Sequence, residues 1–301
     1  MRLLSYSIEG LPSFGLLNTD RDGIIDLSPR IEGVDDLGDL LAQGRLGDVD
    51  EHLDSPIDHS VDSVTVERLL PRPGKIFCIG VNYGGRADEY ADKSDAAYPS
   101  VFVRFADSFT GHDQAVLRPP ESPQLDYEGE IVAVIGTGGR RIPIAEARSH
   151  LAGLSLGNEG TVRDWVRHAK FNVTQGKNWP STGAMGPHLV TMDEIPPFNE
   201  LTISTHVNGE RRQHDSPKTM KYSIEYQIHY LSTFTELQPG DVIFTGTPTG
   251  AGARFDPPNW LVPGDVIEVS VPQIGTLRNH VEDEFTAQEM AEHPHSSPEP
   301  Q

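Results

Sequence analysis

Apolar residues in this chain come mostly in short runs bounded by glycine, proline and aspartate, and seldom at helical spacing. Such runs predict strands. Residues 2–7, 13–17 and 23–27, with the turn Asp20-Arg21-Asp22-Gly23 before the last, predict a small antiparallel meander. The run Asp35-Asp36-Leu37-Gly38-Asp39-Leu40-Leu41 predicts a short helix opened by acidic side chains, which suit the positive end of the helix dipole. A polar stretch follows to about Pro71. This opening section, residues 1–70, carries no chemical motif and reads as a small structural N-terminal domain.

Further strands are predicted over residues 76–81, 101–105, 154–159 and 201–207, a short helix over 144–151, and a basic helix from about Thr161. Two near-copies, Pro239-Gly240-Asp241-Val242-Ile243 and Pro263-Gly264-Asp265-Val266-Ile267, predict one turn-then-strand device used twice, with glycine taking the positive φ. The segment Gly84-Gly85 to Ser94 reads as a mobile loop or lid. Residues 286–301 are polar and contain proline, so they are expected to be disordered.

Composition narrows the field. With 45 acidic against 24 basic residues among 301, the formal charge is −21, and no broad basic surface for nucleic acid can be assembled. The single cysteine, Cys78, lies in an apolar run and reads as a buried small hydrophobe. No apolar run approaches the ~20 residues of a membrane span. There is no signal-like N-terminus, so a cytoplasmic protein is expected. The acid is unevenly spread: residues 20–62 hold thirteen acidic and three basic side chains, whereas from Gly160 to Thr191 Asp164 faces Arg163, Arg167, Lys170 and Lys177. A positive island in a negative chain suits a small anionic substrate.

The candidate chemistry centres on Leu125-Asp126-Tyr127-Glu128-Gly129-Glu130, which runs into an apolar strand. Side chains two apart on a strand share a face, so Glu128 and Glu130 present two carboxylates side by side. Like charges that close repel unless a cation or a shared proton intervenes. A lone Glu-x-Glu is more often a solvated strand edge. Here it sits at the mouth of a run apolar enough to be buried.

Residues 76–83, 125–136, 157–164, 176–187 and 239–250 together resemble the fumarylacetoacetate hydrolase family in order and spacing, over roughly residues 71–284. The resemblance implies an α+β fold, a strand-rich mixed β-sandwich roll over residues 71–285, and a homodimer. It further implies a divalent cation, Mg²⁺ first and Mn²⁺ or Ca²⁺ as alternatives, and a small 2-oxo acid substrate. By the same resemblance the metal ligands are Glu128, Glu130 and Glu159, the last standing in Asn158-Glu159-Gly160-Thr161-Val162-Arg163-Asp164 where aspartate is usual. Lys177 and Arg163 fall on catalytic positions. Tyr83, Thr247 and Gly246 fall on substrate-binding positions, the Gly-Thr loop making an anion cradle. Three carboxylates without cysteine or histidine form a hard oxygen site that suits these ions better than zinc.

One departure bears on the reaction. In Asn82-Tyr83-Gly84-Gly85-Arg86-Ala87-Asp88-Glu89 the catalytic Glu89 is kept, but Arg86 occupies the position of the histidine that, with glutamate, activates water. Arginine stays protonated and is no general base. Glu89 alone or another group such as His112 would then serve, and Arg86 would grip a substrate carboxylate. His112, one of twelve histidines, has no motif around it. The expected activity is metal-dependent C–C hydrolysis of a 2,4-dioxo acid. The alternatives are an isomerase, decarboxylase or hydratase of a dicarboxylic 2-oxo acid from aromatic catabolism, and a non-catalytic binding homologue.

Overall fold

The computed structural model describes residues 1–85, 97–168, 172–285 and 289. Arg86, Glu89, Lys170, most of the expected lid and nearly all of the expected tail lie outside the described residues.

A mixed sheet of twelve strands forms one layer. At its centre Gly129–Ile135, Leu151–Asn158 and Gly183–Thr191 run antiparallel, and every residue of the three is buried. Burial on both faces is why two of them read as continuous apolar runs rather than alternating ones. Val242–Phe244 lies on the other side of Gly129–Ile135 and pairs in parallel with Ile76–Gly80, and Ser100–Val103 forms the edge.

On the opposite flank Arg2–Ile8 pairs with Gly183–Thr191 through Arg2 with Val190 and Leu3 with Leu189. It continues into Leu11–Leu17 and Gly23–Asp26, which is the expected meander. Residues 1–70 are thus tied to the rest by strand pairing. They also share a core, in which Leu3, Phe14 and Leu37 pack in one cluster with Val132, Met185 and Phe244.

A second sheet of five strands runs in the order Glu210–Asp215, Ile203–Val207, Val266–Val271, Gly275–Asp283, Ala115–Arg118. Its Ile203, Ile267, Val269 and Leu277 meet Ile131 and Leu156 of the large sheet in the main apolar cluster. This is a β-sandwich with few helices, as expected.

Several details follow the sequence closely. Asp36 caps the helix Leu37–Ala42 by accepting from the Asp39 amide, and the turn glycines Gly240 and Gly264 adopt φ of 84° and 93°. The basic helix expected from Thr161 is corrected. Among the described residues Thr161–Val162 is a short strand, because Leu125–Asp126 pairs with it, and the helical turns there are the short Arg163–Val166 and Thr174–Lys177. The longest helix among the described residues, Ile224–Phe234, was not expected; Ser223 caps it, and Ile224, Ile228 and Leu231 at helical spacing bury its inner face. Among the described residues no helix is long and apolar enough to cross a membrane.

Candidate metal centre

Glu128 immediately precedes the strand Gly129–Ile135, and Glu130 lies within it. Glu159 follows the strand Leu151–Asn158 directly. Pairing of Gly129 with Asn158 and of Glu130 with Gly157 brings the two segments, and with them all three glutamates, into one place. Two bonds fix the register at the end: the Glu159 amide donates to Glu128 O at 2.7 Å, and the Glu128 amide donates to Asn158 Oδ1 at 3.0 Å. Gly160 lets the chain turn closely here, since a Cβ at that position would fall 1.7 Å from Thr182 O. One carboxylate oxygen from each of Glu128, Glu130 and Glu159 lies within 4.8 Å of the others, and the residues are 3%, 1% and 2% exposed.

Burial and the neighbouring Glu159 and Glu128 push the Glu130 carboxyl well above its usual value, against the Gly246 N–H that donates to its Oε2 at 2.7 Å. Burial also raises Glu159, against the pull of Lys177. For Lys177, burial alone would depress the ammonium, but Glu128 and Glu159 reverse the sign and hold it above its ordinary value. Its Nζ lies 2.5 Å from Glu128 Oε2 and 3.0 Å from Glu159 Oε1. Arg163 opens a single helical turn, donating from Nε to Asp126 Oδ2 at 2.7 Å and from Nη2 to Glu128 Oε1 at 2.9 Å.

Two charged residues at the centre were not among the sequence candidates. Asp126, fully buried, accepts from the amides of Gly252 at 2.7 Å and Ala253 at 3.0 Å as well as from Arg163. The signal for it was present, because Asp126, Glu128 and Glu130 repeat at the strand period of two. Arg104 has a fully buried side chain whose Nη1 lies 3.7 Å from Glu159 Oε1 and donates to Gly160 O at 3.0 Å. Its bonds to Ser108, four residues on, are local, but Glu159 and Gly160, the partners that place it at the centre, lie more than fifty residues downstream, so nothing local marked it.

Asp126, Glu128 and Glu159 pair with Arg104, Arg163 and Lys177, and Glu130 stands beside Glu128 and Glu159, so four carboxyl groups meet three cations. The cluster is left one negative charge in excess, and a divalent cation would turn that into one positive charge. Buried like charges are costly unless neutralised, and an all-oxygen donor set is the hard chemistry that Mg²⁺, Mn²⁺ or Ca²⁺ takes. The residues fit such an ion.

The remaining candidates separate. Gly246 donates to Glu130, and the Thr247 hydroxyl donates to Gly129 O at 2.9 Å while accepting from Gln213 at 2.8 Å. In this arrangement the hydroxyl proton is already engaged. Tyr83 is 3% exposed, and among the described residues its hydroxyl has no hydrogen-bond partner. Arg167 points into solvent, so the positive island divides between Arg163 and Lys177 at the carboxylates and the surface. His112 accepts from the Arg278 amide at 3.0 Å and sits beside Asp113, on the second sheet. Cys78 is wholly buried, and burial raises its thiol well above the ordinary value, as a small hydrophobe requires.

Residues 75–282 match the fumarylacetoacetate (FAA) hydrolase C-terminal family. Oxaloacetate tautomerase YisK of Bacillus subtilis is 40% identical over 227 residues, covering 74% of this chain and 75% of that protein. The mitochondrial oxaloacetate tautomerase FAHD2B of Bos taurus is 32% identical over 291 residues, covering 93% and 91%. Among solved structures, a fumarylacetoacetate hydrolase from Exiguobacterium antarcticum superposes with a TM-score of 0.81 at 30% identity, over 94% of this chain and 100% of that one.

Proposed function

The chain belongs to the fumarylacetoacetate hydrolase family, and from that premise we propose that it is a keto–enol tautomerase of a small 2-oxo dicarboxylic acid, with oxaloacetate as its substrate. The observation that carries this reading is the convergence of three buried carboxylates with Lys177 lying across two of them. The C–C hydrolysis expected first from the sequence yields to the isomerase alternative, because two relatives with 40% and 32% identity are both named as oxaloacetate tautomerases.

Tautomerisation removes a proton from C3 and places one on the 2-oxo oxygen, forming the C2–C3 double bond with no atom gained or lost. No water need be activated, which suits a sequence that carries Arg86 at the position of the water-activating histidine. Glu128, Glu130 and Glu159 would hold the divalent cation, which when bound supplies Lewis acidity to the 2-oxo group.

Lys177 keeps its proton at neutral pH, and an ammonium has three N–H donors. Two face Glu128 and Glu159, so the third can turn to the oxygen where negative charge develops. Arg163, held by Asp126, fixes the Glu128 carboxylate in place. The Gly246-Thr247 loop is assigned a substrate carboxylate from its sequence position, and the Thr247 hydroxyl would have to turn from Gly129 O to donate to it. Tyr83 carries a phenol that burial, helped by Glu130, keeps protonated. Glu89 is proposed to move the C3 proton and Arg86 to grip the second carboxylate. Both rest on sequence position alone.

The test presents enol oxaloacetate to the protein with Mg²⁺ or Mn²⁺ and follows enol absorbance and pyruvate together. Enol loss above the uncatalysed rate, without pyruvate and abolished by EDTA, supports the tautomerase. Pyruvate with CO₂ would make it a decarboxylase instead. Cleavage of an acylpyruvate, with oxaloacetate enol untouched, would restore the hydrolase.

A further inference from the structure

The strand Val242–Phe244 pairs with Gly129–Ile135 only at Val132, Ala133 and Val134. Beyond Phe244 the chain leaves the sheet. Thr245 still reaches Ile131 O from its amide at 3.2 Å and its hydroxyl at 2.8 Å, and at Gly246 the amide turns to the Glu130 side chain instead. Gly129, one step further along, has lost its neighbouring strand on that edge. A buried amide and carbonyl without partners would each carry a desolvation cost.

Both groups are satisfied by side chains. The Gly129 amide donates to Gln213 Oε1 at 2.9 Å, and Gly129 O accepts from the Thr247 hydroxyl at 2.9 Å. Gln213 Nε2 donates to Thr247 Oγ1 at 2.8 Å and to Pro248 O at 2.8 Å. These bonds close a ring through Gly129, Gln213 and Thr247. Every member is buried, Gln213 to 1% exposure.

The strand that carries Gln213 has a register shift against its neighbour, with Thr205 opposite Gln213 and His206 opposite Arg211. Such a bulge re-aims a side chain. Gly250 lets the loop close on that strand, since its φ is 102° and a Cβ there would fall 2.1 Å from Arg212 O.

We propose that Gln213 is a positioning residue that fixes the distance between the metal carboxylates and the Thr247 loop, and thereby the size of 2-oxo acid the site accepts. One end of the ring is the residue between Glu128 and Glu130; the other is the loop taken above to receive a substrate carboxylate, so the inference rests on that reading. Gln213 touches neither carboxylate directly, and its loss acts on the loop.

Gln213→Met keeps the side-chain volume and removes all three bonds, while Thr247→Val removes the hydroxyl at the other end of the ring. The readouts are Mn²⁺ affinity without substrate, binding of pyruvate to the Mn²⁺-loaded protein by paramagnetic relaxation, and KM against kcat for oxaloacetate. The expected result is Mn²⁺ affinity within twofold of wild type, pyruvate binding and KM weakened about tenfold, and kcat within threefold. Because both residues act through one ring, the double variant should be no weaker than the weaker single one.

Unchanged pyruvate binding in Gln213→Met, a parallel loss of Mn²⁺ affinity, or penalties that multiply in the double variant would each overturn the proposal. Wild-type protein that binds pyruvate but does not turn over oxaloacetate would overturn the tautomerase reading alone. Wild-type protein that binds no 2-oxo acid would overturn both.

Discussion

Arg163 grips Glu128 with Nη2 2.9 Å from Oε1, and the same guanidinium is held from behind by Asp126, whose Oδ2 accepts from Nε at 2.7 Å. Asp126 also takes the amides of Gly252 and Ala253, so one carboxylate ties the partner of a proposed metal ligand to a loop more than a hundred residues away. Removing one member of a buried ion pair leaves the other uncompensated, at about 3–5 kcal/mol. Asp126→Ala should therefore lower the unfolding free energy by that order, read from denaturant titration, and weaken Mn²⁺ binding through a loosened Glu128. A variant with wild-type stability and affinity would show that Arg163 needs no such anchor.

Gly129 separates the two strand glutamates because nothing larger fits. A Cβ there would lie 2.0 Å from Thr205 Oγ1 and 3.2 Å from both Val269 methyl groups. Gly129→Ala should cost roughly 1–3 kcal/mol by overpacking. Adding Thr205→Ala should recover part of it, as read from thermal unfolding of both variants. An unchanged melting temperature in Gly129→Ala would mean that the two sheets are not in contact there.

His188 is buried beside Arg2 and Ile274 O, its Nε2 2.7 Å from that carbonyl. Burial pulls its pKa down to about 4, Arg2 pushes the same way, and the bond to Ile274 opposes. The unfolded chain takes up this proton near the ordinary value, about 6.5, so the stabilisation from neutral His188 is full above that pH. It is lost as pH falls toward 4, by about 3 kcal/mol in all. His188→Gln should flatten the slope of unfolding free energy over that window. An identical slope would place the titration elsewhere.

Three parts of the centre were legible in different degrees. Glu128 and Glu130 stand at a strand's own period, whereas Glu159 and Lys177 entered as site candidates only through the resemblance to a family's motifs. Arg104, Asp126 and Gln213 carry their meaning in contacts between distant segments: Arg104 with Gly160, Asp126 with Gly252, Gln213 with Gly129. No local period encodes such pairs. The expected basic helix gave way for a similar reason, since Thr161–Val162 is claimed by pairing with Leu125–Asp126, a tertiary demand that outweighs helix-like spacing.

The account stands on a divalent cation held by Glu128, Glu130 and Glu159. It is tested most directly by titrating Mn²⁺ into wild-type and Glu128→Gln protein, with enol oxaloacetate turnover followed in parallel. The account predicts one bound Mn²⁺ per wild-type chain, affinity lowered at least tenfold in the variant, and turnover lost with it. Wild-type turnover that persists in EDTA, or a variant that binds Mn²⁺ as tightly as the parent, would contradict it.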